Sequence, residues 1–182
     1  METKVPFYNM VNILLPGVAF ISACLLMFFD MIKIIAIHIT NLESLGLEVL
    51  LTFATLAISY EVGYIIFRLG STLIGPILRK LYKFYPYEKY VDAKKAGANK
   101  LSELSREFAY ARTRITLFFL LTIVAIINLF RTGSNIYWVL IITFFICVSL
   151  FMLATYTYVK KIKTNIDKYL TRDDKSGVAT DD

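Results

Sequence analysis

The chain is poor in the residues that most soluble chemistry needs. It has a single histidine, His38, and two cysteines, Cys24 and Cys147, each inside an apolar run. One His with no neighbouring Cys cannot build a zinc site. Two separated, buried-type thiols are not a disulfide framework. Only 19% of the 182 residues are charged, against the usual ~25%. No glycine-rich phosphate loop, no Ser/His/Asp arrangement and no paired carboxylates in a polar context are found. These absences argue against an enzyme, a metal or a cofactor. What is abundant is apolar: 57% of the chain, with a mean hydropathy of +0.61. That excess rules out an ordinary soluble domain and points to membrane spans.

Four apolar runs are long enough. The first is Ile13–Phe29, entered from Phe7. At about 1.5 Å per residue this segment reaches roughly 33 Å, enough to span. Pro16 lies inside it and predicts a kink, because it cannot donate to the carbonyl of Asn12. The basic start is only Lys4 and no small-residue cleavage site follows, so the segment is expected to be retained. The second run is Leu45–Phe67, the third Ile115–Phe130 and the fourth Ile136–Val159. Tyr137, Trp138, Tyr156 and Tyr158 sit at the ends of the fourth, as interfacial aromatics do. The expected fold is all-α, a polytopic membrane protein with four transmembrane helices.

Four spans place both termini on one side. Eighteen of the 20 Lys+Arg residues then share that side, leaving only Lys33 and Arg131 opposite. This asymmetry predicts cytoplasmic termini and a cytoplasmic central loop. The organisation expected is residues 1–67 for the entry segment and first span pair, 68–114 for a basic helical loop, 115–159 for the second pair, and 160–182 for a helical extension and tail.

The loop is too long for a plain connector. Residues 71–84 suggest a helix beginning near Gly75-Pro76, with breaks at Tyr85-Pro86-Tyr87 and Gly97. From Asn99, Leu101, Leu104, Phe108, Ala111 and Ile115 recur at gaps of three and four, one helical face. No breaker separates them from the third span, so one helix of roughly 48 Å is expected from about 99 to 130. Val159, Ile162, Ile166 and Tyr169 extend the fourth span to about Leu170. Leu101, Leu104, Phe108, Ile162, Ile166 and Tyr169 form a candidate assembly face, and the two stripes are also placed to pack on each other. Thr171–Asp182 has no apolar period and is expected to be a disordered tail.

Glu61 stands out, about two turns inside the second span. An ionised carboxylate facing lipid there costs on the order of several kcal/mol. Arg68, Tyr60, Tyr64 and Asn128 are conceivable partners. Glu61, Arg68 and Asn128 are thus candidates for a gating group or a structural anchor. Asp30 and Lys33, spaced i, i+3, are a candidate pair at the outer edge. Ala19 and Ala23, and Ser59 and Gly63 with Gly70 a heptad on, are small-residue faces that permit close helix approach, within one chain or between chains. Tyr82, Tyr85, Tyr87 and Tyr90 alternate with Lys80, Lys83 and Lys89, a pattern of a headgroup interface or a protein dock rather than of nucleic-acid binding.

The segments Phe7-Tyr8-Asn9, Asn12, Leu15-Pro16-Gly17, Tyr60 with Gly63, Gly70-Ser71 and Gly75-Pro76-Ile77-Leu78 resemble small bacterial four-span proteins found with phage-defence genes. Length, span count and the basic loop add a likeness to the membrane component of Kiwa anti-phage systems, the KwaA group, over most of residues 7–170. That resemblance implies a homo-oligomer, by analogy a tetramer, in the bacterial inner membrane. It would act as a non-enzymatic sensor or scaffold and recruit a cytoplasmic, DNA-binding KwaB-like protein through its inner helices, without itself touching nucleic acid. It supplies no residue-level binding motif. An oligomeric pore or ion-conducting effector is the alternative that Glu61 keeps open.

Overall fold

The computed structural model describes residues 5–28, 45–95 and 100–177. They are all-α, with no strand among the described residues. Helix α1 is Val5–Met27 and α2 is Leu45–Leu69. A π-helical turn, Gly70–Ile74, leads directly into α3, Gly75–Leu81. Helix α4 is Tyr87–Lys95, α5 is Lys100–Thr132 and α6 is Ile136–Gly177. Four segments are long and apolar enough to cross a membrane: Met10–Met27, Glu48–Leu81, Lys100–Thr132 and Ile136–Leu170.

The predicted boundary between the second span and the loop helix is absent. The π turn joins α2 to α3 without a break. Pro76 falls in the first turn of α3, after the Gly75 N–H has closed the π register onto the Gly70 carbonyl. The missing donor of Pro76 therefore lies where the hydrogen-bond ladder changes register, and the helix continues. Pro16 likewise lies inside an uninterrupted α1.

The break expected at Tyr85-Pro86-Tyr87 comes earlier, at residues 82–86, and Tyr87 already opens the next helix. Helix α3 closes with the Phe84 N–H on the Arg79 carbonyl (3.0 Å) and the Lys83 N–H on that of Lys80 (3.3 Å). Lys83 takes φ 48° between them, the left-handed residue of a Schellman cap.

Helix α5 is the centre of the molecule. Its buried side chains run from Leu101 through Phe108, Ala111, Ile115 and Leu121 to Ala125 and Asn128, the three-and-four spacing of one helix face carried through 33 residues. Two apolar clusters form along it. Among the apolar runs, Ile66, Leu117 and Leu121 meet Phe20, Ala23 and Val62. Outside the runs 45–67, 115–130 and 136–159, Leu78, Ala93, Leu101, Phe108, Ile162 and Ile166 share a second core. Helix α6 runs seven residues past the expected stop at Leu170, so the expected tail is helical as far as Gly177. A helix already nucleated by packing adds residues at one hydrogen bond each, without needing an apolar stripe. Residues 178–182, the Gly97 break, His38 and the Asp30/Lys33 pair lie outside the described residues.

Candidate functional site

The three polar positions expected near the second span are not brought together. Glu61 is exposed, at a groove of about 650 Å³ between α1 and α2 whose walls include Met10, Leu14, Phe53, Leu56 and Tyr60. Its carboxylate makes no hydrogen bond or ion pair among the described residues. Arg68 is engaged elsewhere: its Nε donates to the Tyr64 phenol oxygen (2.8 Å), and its guanidinium lies 5.0 Å from that ring centroid. The i, i+4 spacing from Tyr64 captures Arg68, whereas Glu61 is seven residues away, roughly 10 Å along the axis. Asn128 is fully buried, and its Nδ2 donates to the Val124 carbonyl of its own helix (3.1 Å). Its Oδ1 is left without a partner. Of the two roles open to Glu61, an anchor to Arg68 or Asn128 is not formed, and the carboxylate is exposed.

The Ser59/Gly63 face, with Gly70 a heptad on, packs within the chain. A Cβ on Gly17 would collide with the Ser59 carbonyl oxygen, and one on Gly63 with the Ile13 carbonyl oxygen. The crossing of α1 and α2 is thus a backbone-to-backbone contact, which only glycine permits on both sides. Gly70 serves a different neighbour. A Cβ there would lie 2.7 Å from Thr116 Oγ1 of α5. Ala23 packs near Ile66, whereas Ala19 is exposed.

Arg112 was not singled out by sequence reasoning. It is only 7% exposed, in the seam between α5 and the π turn. Its guanidinium lies 5.8 Å from the Phe67 ring centroid, and its Nη1 sits 3.2 Å from where a Gly75 Cβ would be. Nε has no hydrogen-bond partner. The signal was present in the spacing: from Phe108, position 112 follows at a gap of four on the buried stripe.

Of the two roles expected for the stripes, the packing of one on the other is the one found. Leu101, Phe108, Ile162 and Ile166 are buried against one another and against Leu78 and Ala93, while Leu104 and Tyr169 pack at the edge. The stripe is consumed inside one chain, as the antiparallel placement of α5 and α6 allows. The tyrosine cluster divides. The Tyr82 hydroxyl donates to the Met152 carbonyl (3.0 Å), and Lys163 Nζ donates to the Tyr82 carbonyl (2.9 Å). The Tyr85 hydroxyl donates to Asp167 Oδ1 (2.9 Å), and that bond holds its phenol above the usual tyrosine range. Tyr87 remains exposed.

The arrangement defines a class: a helical protein with four segments suited to crossing a membrane, three of which run on into a packed basic module. No family model, curated protein or solved structure matches the chain.

Proposed function

We propose that the protein is a non-enzymatic sensor or scaffold of the bacterial inner membrane. It oligomerises there and recruits a cytoplasmic, DNA-binding partner of the KwaB type in anti-phage defence. The observation carrying this reading is the continuity of α5 and α6, which run unbroken from the apolar segments into the module. The module core joins both helices through Leu101, Phe108, Ile162 and Ile166, so rearrangement of the spans is transmitted to it mechanically. Lys80, Lys94, Lys95, Arg106, Lys160 and Lys161 are exposed around that core, a basic surface suited to an acidic protein partner. The outward Glu61 supports oligomerisation, because a neighbouring copy removes the carboxylate from lipid.

Glu61 also favours a second reading, an oligomeric ion-conducting effector. Carboxylates arranged around a symmetry axis select cations. Two measurements test these readings. With the basic module in the cytoplasm, an impermeant thiol reagent on intact cells lacking the native cysteines labels Ser134→Cys in the α5–α6 loop and leaves Ser102→Cys unlabelled; the reverse pattern inverts the topology. In planar bilayers the scaffold reading expects no current from the wild type and no change with Glu61→Gln. A reproducible cation current that Glu61→Gln abolishes establishes the effector reading instead.

A further inference from the structure

Two cavities, of about 220 and 210 Å³, adjoin between α1, α5 and α6 and share Asn12, Tyr110 and Arg114. The first continues along Leu15, Pro16, Ala19 and Leu117, an apolar wall. The second is polar, reaching Glu107 and Tyr158. The cleft therefore has a gradient along α5: apolar at Leu117, cationic at Arg114, phenolic at Tyr110, anionic at Glu107.

Its depth is set by the sequence. Three helices change character here at one level. Asn12 precedes the apolar run of α1, Arg114 is the last charge before that of α5, and Tyr158 and Val159 close that of α6 before Lys160. This is the level of the lipid headgroups, where phenols and guanidinia concentrate. Arg114 is exposed and lies 5.8 Å from the Phe151 ring centroid. Glu107 is half-buried. Neither makes an ion pair or a hydrogen bond among the described residues, although both line one cleft. Two opposite charges, two helical turns apart and unneutralised, call for a ligand that carries both charges in the complementary order.

We propose that this cleft binds an aminophospholipid of the phosphatidylethanolamine type, with its phosphate on Arg114, its ammonium on Glu107 and an acyl chain along Leu15, Pro16 and Leu117. The order of the lipid from chain to phosphate to amine is the order of the cleft. The Arg114 guanidinium is a bidentate donor suited to a phosphodiester, and Phe151 behind it limits its rotamers. Glu107 distinguishes a primary ammonium from the uncharged glycerol of phosphatidylglycerol. A membrane rich in anionic lipid would be expected to occupy a purely basic site; the carboxylate here opposes that.

The test uses the full-length protein in nanodiscs of equimolar phosphatidylethanolamine and phosphatidylglycerol. The lipid retained after extraction into mild detergent is then quantified by mass spectrometry. The wild type retains phosphatidylethanolamine enriched several-fold over the bulk ratio. Glu107→Gln returns the ratio to that of the bulk while total retained lipid stays similar. Arg114→Ala lowers total retained lipid several-fold, and Arg114→Lys restores part of it. Lys100→Ala, on the same helix outside the cleft, changes neither. Helicity and gel-filtration profiles identify any variant that fails to fold; Glu107→Gln then carries the test, since it leaves the cleft shape intact. Enrichment of phosphatidylglycerol, an unchanged ratio in Glu107→Gln, or a Lys100→Ala effect equal to that of Arg114→Ala overturns the assignment. Soluble phosphoethanolamine that displaces the retained lipid at equal concentration also overturns it, because the apolar wall would then contribute nothing.

Discussion

Gly63→Leu is expected to abolish the folded protein. The α1–α2 crossing rests on glycine at both contact points, where an added Cβ meets the opposing carbonyl oxygen rather than a movable side chain. The helices must separate, and the contacts of the Ile66, Phe20 and Val62 cluster above the crossing separate with them. Overpacking usually costs about 1–3 kcal/mol, but a backbone clash cannot relax by a rotamer change, so a loss of more than about 3 kcal/mol is expected. Gly63→Ala and Gly17→Ala are expected to follow in the same direction with smaller losses. Gly133→Ala is the informative control. Gly133 has φ +65° and nothing near its Cβ position, so Gly133→Ala should lose only about 1 kcal/mol of stability, to backbone strain. Fluorescence-detected gel filtration over a temperature series measures all four. A Gly63→Leu protein that elutes and melts like the wild type would mean that the crossing is not made in the membrane.

The second large effect is expected from Ile166→Asp. Ile166 and Leu101 are each 0% exposed, in the core shared by α5, α6, Leu78 and Ala93. A carboxylate there has no cation to pair with inside the cluster and should cost several kcal/mol, on the order of the whole stability of a small module. The apolar segments should still insert, because the change lies beyond them. Limited proteolysis of membrane vesicles with the module exposed is the measurement. Rapid cleavage within residues 82–100 and within the second half of α6 is expected, with the spans protected. Leu104→Asp, at the edge of the core, is expected to show the same pattern more weakly. If Leu104→Asp instead left the module protease-resistant but reduced the oligomer, the stripe would be an interface between chains and the intrachain core would be wrong.

These two regions differ in how much of them was legible beforehand. The stripe of Leu101, Phe108, Ile162 and Ile166 was visible as period 3.6, because burial of one helix face leaves that period in the residues themselves. The stripe of the fourth span was one surface it could meet, and a second chain was another. Packing between two halves of one chain and packing between two chains demand the same apolar spacing, and only the antiparallel placement of α5 and α6 separates them. The same holds at Gly63: a small residue shows that something approaches, and not what.

Glu61 and Arg112 show the opposite failure. Glu61 stands out in the sequence as a charge in an apolar run, but its spacing does not choose among conceivable partners, and a local competitor, Tyr64, holds Arg68 at a spacing of four residues. Arg112 passed as one more basic residue of the loop, although it is the charge that packing buries. Side-chain partnerships depend on rotamers and on neighbours distant in sequence, and neither leaves a period.

What the amino-acid sequence determined by itself is the helical class, the four apolar segments, the unbroken extensions of the third and fourth, and the charge asymmetry across them. Each is set by local hydropathy and by spacing along a single helix, both of which are sums over neighbours in the chain. The tertiary structure decided the π turn that carries α2 past Pro76, the Gly17–Gly63 crossing, the burial of Arg112, the outward aim of Glu61, and the cleft that puts Asn12, Glu107, Arg114 and Tyr158 on one site. Those features arise where separate helices meet. The angle and depth at which helices meet are fixed by close packing among residues far apart in the chain, so no single stretch of it encodes them.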